Sequence, residues 1–311
     1  MDGLPQSLVP GASAWRQCSL KTPIDCVGIG LHSGRRVHVT LRPAEPDHGI
    51  VFRRTDLGRD IPARFDRVVD TRLSTVLGHE SWGSVRIGTI EHLMAAFYGL
   101  GIDNALVEVD GPELPILDGS AAPYAFLIDC AGIAEQDAPR HVIEIRRTVR
   151  VTDGQSFAEL HPVSPGSPGL EVALSIDFPA EAIGQQALRA WLEPRNFRHD
   201  LARARTFVLA EEIEHLRASG LAQGGSLENA VVVDQCRVLN PGGLRMEDEF
   251  ARHKMVDVIG DLALAGAAIR GRLVTHRPGH SLNNRLLRAL FADASAWRDA
   301  APAALTAAAA A

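Results

Sequence analysis

The chain has 311 residues, 46% of them hydrophobic and 23% charged, which predicts two globular domains and excludes a disordered chain, a collagen and a coiled-coil rod. Its 32 basic and 38 acidic residues give a net charge of −6, which argues against general nucleic-acid binding. Four scattered cysteines without CxxC spacing argue against a disulfide framework and a thiolate zinc site.

The sequence also lacks the patterns of membrane and secreted proteins. Its longest uncharged apolar stretch, 262–269, is far shorter than the roughly 20 residues that a bilayer span needs. The opening residues, MDGLPQSLVP, contain no basic segment followed by an apolar core, so no secretory signal is predicted. We therefore expect a cytoplasmic protein with no transmembrane segment.

The first half of the chain is expected to form one domain over 14–137. It follows residues 1–13, which are rich in Pro, Gly and Ser and are expected to be a flexible N-terminus. Alternating apolar and polar residues predict strands. One helix is predicted from an apolar stripe that Gly99 ends, and another has Pro123 in its first turn. The predicted elements are strands over 36–41 and 105–109 and helices over 89–99 and 120–131.

A polar, proline-containing stretch at 132–140 marks the predicted domain boundary. The second domain is expected over 138–295, followed by an Ala-rich tail at 296–311. Its predicted elements are strands over 141–151, 170–178 and 231–239 and helices over 207–218 and 249–268. Because strands precede helices in each half rather than alternating with them strictly, the expected fold class is α+β.

The strongest local pattern is R-H-K-M-V-D-V-I-G-D in the last predicted helix. Positions four and eight apart share one helix face, which aligns His253, Asp257 and Asp261. A His and an Asp one turn apart can hold one zinc ion through nitrogen and oxygen. A solvated helix face bearing a His–Asp pair is the commoner reason for this spacing, so the pattern alone leaves both explanations open.

Two further segments could complete a hydrolytic metal site. Glu91 and His92 are adjacent in the first predicted helix, and a histidine ligand beside a glutamate base is what zinc hydrolases need. His280 stands in RPGHSLNN, a Gly/Pro-containing stretch predicted to be a loop that presents a side chain to a cleft. Taken singly, an adjacent Glu–His pair is usually a surface feature, and a lone loop histidine means little.

Longer motifs contain or flank these residues: TIEHLMAA, ELPILDGSAAP, RARTF, GGSLENAVVVD, LRMEDEFARHKMVDVIGDL and GHSLNN. Together, and in order over 21–290, they resemble the UDP-3-O-acyl-N-acetylglucosamine deacetylase family, zinc amidases at the committed step of lipid A synthesis. The resemblance implies two related α+β domains, each a mainly antiparallel sheet packed against a pair of helices, with the active cleft between them. It also implies a monomer that acts on a small-molecule nucleotide sugar carrying an acyl chain.

The resemblance implies the reaction-centre residues. A zinc ion, for which Fe²⁺ is an alternative, would be held by His92, His253 and Asp257. Glu91 would act as general base toward the zinc-bound water that attacks the acetamide carbonyl. The other roles are oxyanion stabilisation by Thr206, cationic stabilisation and proton donation by His280, and orientation of that histidine by Asp261.

The resemblance also implies substrate-binding residues, which are Lys254, Phe207, Phe178, Arg277, Leu73 and Ser74. Arg277 would lie near the diphosphate, where a charge-assisted contact fits. Core packing is the alternative for the two phenylalanines. Family members often carry a lysine just before the strand at 158–159, whereas this chain reads Gln155-Ser156-Phe157, which leaves the phosphate contact open.

The acyl chain is expected in an apolar passage of the second domain. Leu209, Ile213 and Leu216 form one stripe of the helix predicted over 207–218, and part of this stripe would line the passage. An ordinary amphipathic helix packed on its sheet has the same pattern.

Two other functions fit less well. A deacetylase of a different acylated amino sugar would keep the reaction centre and differ in the passage. A non-catalytic relative would be expected to have lost Glu91, His280 or a metal ligand, and all of these are present.

Overall fold

The computed structural model describes residues 16–83, 85–164, 167 and 169–300. The expected flexible N-terminus at 1–13, and residues 301–311 of the expected tail, lie outside the described residues. The elements of the first half are β1 (Arg16–Leu20), β2 (Ile24–Ile29), β3 (Arg36–Pro43), β4 (Ile50–Arg54), β5 (Arg59–Pro62), β6 (Val68–Asp70), β7 (Val76–Gly78), β8 (Arg86–Ile87), α1 (Glu91–Leu100), β9 (Ala105–Val109), α2 (Ala122–Ala131) and β10 (Ile133–Pro139).

The second half contains the remaining helices and strands. They are β11 (Val142–Ile145), β12 (Val149–Asp153), β13 (Ser156–His161), β14 (Leu170–Asp177), β15 (Gln185–Trp191), α3 (Pro194–Asn196), β16 (Phe207–Leu209), α4 (Ala210–Ala218), β17 (Val231–Asp234), β18 (Arg237–Val238), α5 (Glu249–Leu262), β19 (Ala268–His276), α6 (His280–Ala292) and β20 (Trp297–Ala300). Among the described residues, no helix combines the length and apolarity needed to cross a membrane.

Both halves repeat one topology. The first sheet has the order β2-β3-β9-β4-β5, in which β4 runs parallel to β9 and the other neighbours are antiparallel. The second sheet contains the order β12-β13-β19-β14-β15, in which β14 runs parallel to β19 and the other neighbours are antiparallel. One helix precedes and one follows the central strand in each half, α1 and α2 around β9 and α5 and α6 around β19. The expectation of two related α+β domains is confirmed.

Each domain carries an insertion at the same point of its topology. It lies between β5 and α1 in the first domain and between β15 and α5 in the second. In the first domain the insertion is the small sheet β6-β7-β8. In the second it contains α3, α4 and the sheet β16-β17-β18. Both insertions lead directly into the helices that carry the predicted metal ligands.

Helices α1 and α5, which occupy equivalent places in the two domains, pack against each other. In α1 every residue from Glu91 to Phe97 is buried, and Gly101, with a left-handed φ of 79°, ends the helix by donating its N–H to the Phe97 and Tyr98 carbonyls. Gly260 of α5 makes the approach close, because a Cβ there would lie 2.1 Å from the Glu91 carbonyl oxygen. The contact brings side chains of both domains together.

The structure corrects one prediction at the ends of the second domain, the start of the tail, and the domain boundary placed at 132–140 remains a prediction. Much of the polar stretch at 132–140 is strand β10, which pairs with β1. Its side chains alternate between exposed and half-buried, and polar residues on an exposed two-stranded ribbon read like a linker. Strand β20 pairs antiparallel with β11, so the second domain extends to Ala300, into residues expected to be tail.

Two predicted helices are shorter in the structure. Residues 207–209 form β16, parallel to β17, and the helix begins only at Ala210. The helix predicted over 249–268 ends at Leu262 and is followed by a single 3₁₀ turn and then β19. In both cases apolar residues lie on both sides of the junction between helix and strand, so the pattern does not mark where the helix begins or ends.

Candidate active site

Three side chains from the two domains meet where α1 contacts α5. His92 of α1 and His253 and Asp257 of α5 each offer one ligand atom, and these atoms lie within 4.8 Å of one another. Oδ1 of Asp257 is 3.2 Å from Nε2 of His253 and 3.8 Å from Nε2 of His92. All three side chains are buried. Two imidazole nitrogens and one carboxylate oxygen form a donor set suited to a catalytic metal with an open coordination position.

The protonation states of this cluster suit metal binding. Nδ1 of His253 is 3.0 Å from the Ala204 carbonyl oxygen, so Nδ1–H donates to that carbonyl and Nε2 is free for a metal. Burial and, secondarily, the nearby His253 lower the pKa of His92 to about 3, so this imidazole is neutral. Although burial works to raise it, His253 and Lys254 hold the pKa of Asp257 well below its usual range.

Glu91 precedes His92 and is itself buried. Burial raises the pKa of Glu91 to about 7, although the nearby His280 works to lower it. Oε2 of Glu91 accepts the Thr75 backbone N–H at 3.1 Å, and Oε1 lies 4.0 Å from Nε2 of His280. A carboxylate whose pKa lies near neutrality is well matched to accepting a proton at that pH.

His280 faces Glu91 from the second domain. It is the first residue of α6, preceded by the extended Gly279, so the prediction that it stands in a loop is wrong by one residue. Nδ1 of His280 is 2.8 Å from Oδ2 of Asp261. Burial works to lower the pKa of His280, but the charge and hydrogen bond of Asp261 and the charge of Glu91 raise it to about 10. His280 is therefore a cation at neutral pH.

These groups open onto a cavity of about 250 Å³, the reaction cavity. The predicted site residues that line it are Leu73, Glu91, His92, Thr206, Phe207, His253, Lys254, Asp257 and His280. Asp261 is buried behind His280, and Ser74 is buried without lining the cavity. The Thr206 backbone N–H donates to the Gly119 carbonyl, and its carbonyl accepts the Val231 N–H, both at 2.8 Å. Three sequence motifs thus converge on this threonine.

A neighbouring cavity of about 260 Å³ is lined by the other residues predicted to bind substrate, apart from Ser74. Phe178 and Arg277 line it, and Lys254 lines both this cavity and the reaction cavity. The Arg277 guanidinium donates to Asp177 Oδ2 at 2.6 Å and to Gln155 Oε1 at 2.7 Å. Gln155, in the segment where a lysine was expected, thus holds this arginine.

A larger and mainly apolar groove of about 590 Å³ adjoins the reaction cavity. The residues shared by the two are Leu31, His32, Leu73, Thr206 and Phe207. Ile213 and Leu216 of α4 line the groove, as the helical stripe predicts. Leu209 belongs to β16 and is not among the lining residues.

The sequence pattern of the family described as UDP-3-O-acyl N-acetylglycosamine deacetylase matches residues 17–292. This chain belongs to that family.

Named relatives match nearly all of this chain. It is 48% identical over 287 residues to the UDP-3-O-acyl-N-acetylglucosamine deacetylase of Myxococcus xanthus, a match that spans 92% of this chain and 89% of the relative. The deacetylase of the same name from Acidithiobacillus ferrooxidans is 50% identical over 286 residues, 91% of this chain and 92% of the relative. The deacetylase of the same name from Shewanella woodyi is 49% identical over 285 residues, which span 90% of this chain and 92% of the relative.

The site of this deacetylase-family chain includes three polar residues that the sequence did not point to. Thr75 Oγ1 and Asn283 Nδ2 donate to the two carboxylate oxygens of Asp261, at 2.5 and 2.8 Å. His32 lines both the reaction cavity and the apolar groove. Asn283 lies within the GHSLNN motif, which could have singled it out. Thr75 and His32 carry no local signal beyond being polar residues beside apolar ones.

Proposed function

We propose that this chain removes acetate from the 2-acetamido group of UDP-3-O-(3-hydroxyacyl)-N-acetylglucosamine, the committed step of lipid A biosynthesis. One observation carries the proposal: a buried carboxylate and a half-buried imidazolium lie 4.0 Å apart beside a His₂Asp cluster in a chain of the deacetylase family. Amide hydrolysis needs both groups, because an amine is a poor leaving group until it is protonated.

The resident metal is proposed to be Zn²⁺, with Fe²⁺ as the alternative, held by His92, His253 and Asp257. When bound, the ion would polarise the acetamide carbonyl and make water more acidic. The neutral His92 ring and the free Nε2 of His253 fit this role without rearrangement.

Two side chains, Glu91 and His280, carry out the proton transfers. Glu91, with a pKa near neutrality, accepts a proton from the attacking water. His280 enters the reaction as a cation, stabilises the negative charge that develops on the carbonyl oxygen and passes its proton to the departing glucosamine nitrogen. The Thr206 hydroxyl, at the wall of the same cavity, adds a donor for the oxyanion.

Different parts of the substrate bind in different cavities. Lys254 and Arg277 present cations suited to the diphosphate, and Phe178 presents an aromatic face beside them. The apolar groove, which begins at Leu73 and Phe207, receives the acyl chain along Ile213 and the rest of its apolar wall. The proposal includes a monomer, as the family resemblance implies, acting in the cytoplasm, as expected from the sequence.

The test is the release of free amine from UDP-3-O-(3-hydroxymyristoyl)-N-acetylglucosamine by purified protein, before chelation, after chelation and after zinc is restored. We expect turnover that disappears with the metal and returns with it. Folded, zinc-loaded protein that leaves this substrate intact would contradict the proposed substrate. Turnover of other acylated amino sugars in its place would favour the alternative deacetylase. Restoration by Fe²⁺ in place of zinc would correct the metal.

A further inference from the structure

Thr75 lies between Glu91, the proposed base, and Asp261, the partner of the proposed acid. Its side chain hydrogen-bonds to Asp261 and its backbone to Glu91. Its hydroxyl donates to Oδ1 of Asp261 at 2.5 Å, and its backbone N–H donates to Oε2 of Glu91 at 3.1 Å. Its carbonyl accepts the backbone N–H of Ile90, the residue that precedes α1, at 3.5 Å. The hydroxyl and the backbone N–H of this one residue are therefore used at the reaction centre, and its carbonyl at the start of α1.

Thr75, Glu91 and Asp261 come from three separate parts of the fold. Thr75 precedes β7 in the insertion of the first domain, Glu91 begins α1, and Asp261 is near the end of α5 in the second domain. Thr75 is only 2% exposed, so water does not compete for these bonds. The residue is a direct link between a general base in one domain and the carboxylate that orients the acid in the other.

The carboxylate of Asp261 uses its two oxygens differently. Oδ2 accepts His280 Nδ1 and Asn283 Nδ2, both at 2.8 Å, whereas Oδ1 accepts the Thr75 hydroxyl. Without that hydroxyl, a buried carboxylate oxygen would lose its donor, and the plane of the carboxylate would no longer be held against His280. The orientation of the imidazolium therefore depends on a residue that does not line the reaction cavity.

We propose that Thr75 is a positioning residue for the reaction. It holds Glu91 directly, and His280 through Asp261, at fixed positions relative to each other across the domain boundary. The proposal rests on the acid–base roles given to those two groups in the proposed function. Thr75 itself contacts no reacting atom. It acts through the hydroxyl and backbone, and a hydroxyl at this position is required rather than a side chain of the same shape.

The experiment compares Thr75→Val, which keeps the shape and the backbone N–H, with Thr75→Ser, which keeps the hydroxyl. We expect Thr75→Val to lower kcat roughly 10–100-fold, the range typical of partners that orient groups at a metal site, with KM and bound zinc unchanged. Thr75→Ser should recover most of that loss. A purely structural role would instead lower thermal stability without separating kcat from KM.

Thr275→Val is the matched control. Thr275 is also a buried threonine, and its hydroxyl donates to the Phe157 carbonyl at 2.8 Å, away from the reaction cavity. This variant removes a buried hydroxyl bond and should leave kcat unchanged. Equal losses of kcat in Thr75→Val and Thr275→Val, or in Thr75→Val and Thr75→Ser, would overturn the proposal.

A second readout does not depend on turnover. NMR titration of His280 in the zinc-loaded protein should give a lower pKa in Thr75→Val than in wild type and Thr75→Ser, because the Asp261 carboxylate that faces His280 is held less rigidly. Glu91 and Asp257 are the other carboxylates near this ring; both are unchanged in all variants, and Glu91 keeps its backbone donor. If wild type lacks deacetylase activity, the proposed function fails, while an unchanged His280 titration in Thr75→Val would overturn the Thr75 proposal by itself.

Discussion

Glu91 and His280 illustrate how surroundings assign opposite roles to two neighbouring groups. Burial dominates for Glu91 and raises its pKa to about 7, so that the carboxyl can exchange a proton near neutrality. For His280 burial is outweighed by Asp261, and the raised pKa of about 10 keeps the ring charged. The spacing of residues in the sequence indicates neither state, because both depend on which charges the fold places around each group.

Replacing Asp261 by asparagine should remove the charge that keeps His280 protonated. Burial is then opposed only by the charges of Glu91 and Asp257, so the pKa of His280 should fall well below about 10. Because the acid form is the active one, kcat should decline as the pH rises through this lower pKa, whereas wild type should retain its acid form until the pH approaches about 10. The pH dependence of kcat measures the shift. An alkaline limb in Asp261→Asn that matches wild type would contradict the assignment.

The same pair affects stability. A folded-state pKa of about 10 exceeds the unfolded value of about 6.5, so His280 contributes stability that is fully present below pH about 6.5 and is lost as the pH rises through about 10. Asp261→Asn should remove this dependence. Urea unfolding of wild type and variant at a series of pH values checks it, and parallel stability curves would argue against the ion pair.

Removing the base and removing a ligand should have separable effects. Glu91→Gln keeps the shape of the side chain and all three ligands, so bound zinc should stay near one per chain while kcat falls by about 100-fold or more, the scale of general-base catalysis. His253→Ala should lose zinc as well as activity. Metal analysis of dialysed protein distinguishes them. A zinc-free Glu91→Gln protein, or a fully loaded His253→Ala protein, would show that the two roles are wrongly divided.

At the scale of elements, the helices that carry the ligands were predictable and their neighbours were not. The apolar stripe of α1 and the i, i+4 pattern of α5 place His92 and Asp257 correctly on helices. No helix is predicted where α6 lies, because Gly279 provides no capping side chain and RPGH looks like a continuing loop. Strand β16 was read as helix because Phe207 to Leu209 are apolar in either structure.

Substituting Gly260 by alanine should disturb the contact between α1 and α5. The added Cβ would lie 2.1 Å from the Glu91 carbonyl oxygen, so the helices must separate. We expect a loss of about 1–3 kcal/mol in the free energy of unfolding, typical of overpacking, together with weaker zinc binding because the ligands are divided between the two helices. Chemical denaturation and zinc titration measure the two effects.

Gly242→Ala is the control for this substitution, because a Cβ there meets no atom within 4 Å. It should change neither stability nor zinc affinity appreciably. If Gly260→Ala behaves like this control, the close packing of the two helices is not what aligns the ligands.

At the scale of the whole molecule, the site lies between two domains of the same topology. Helices α1 and α5 hold equivalent places in the two domains, and their contact joins His92 to His253 and Asp257. The sequence predicts two α+β units, but periodicity cannot show that β2-β3-β9-β4-β5 and β12-β13-β19-β14-β15 share one order. Strand order depends on contacts between distant segments, which a local pattern does not encode.

Because one ligand comes from the first domain and two from the second, a bound metal should tie the domains together. Zinc that binds only the folded chain stabilises it by about 2.7 kcal/mol at a free concentration 100 times the dissociation constant. Thermal unfolding of wild type should therefore shift upward with zinc and downward with chelator. His92→Ala, which removes the first domain's ligand, should lose most of this shift, although His253 and Asp257 remain. A zinc-dependent shift of wild-type size in His92→Ala would mean that the second domain holds the metal alone, and that the two domains meet at the site for another reason.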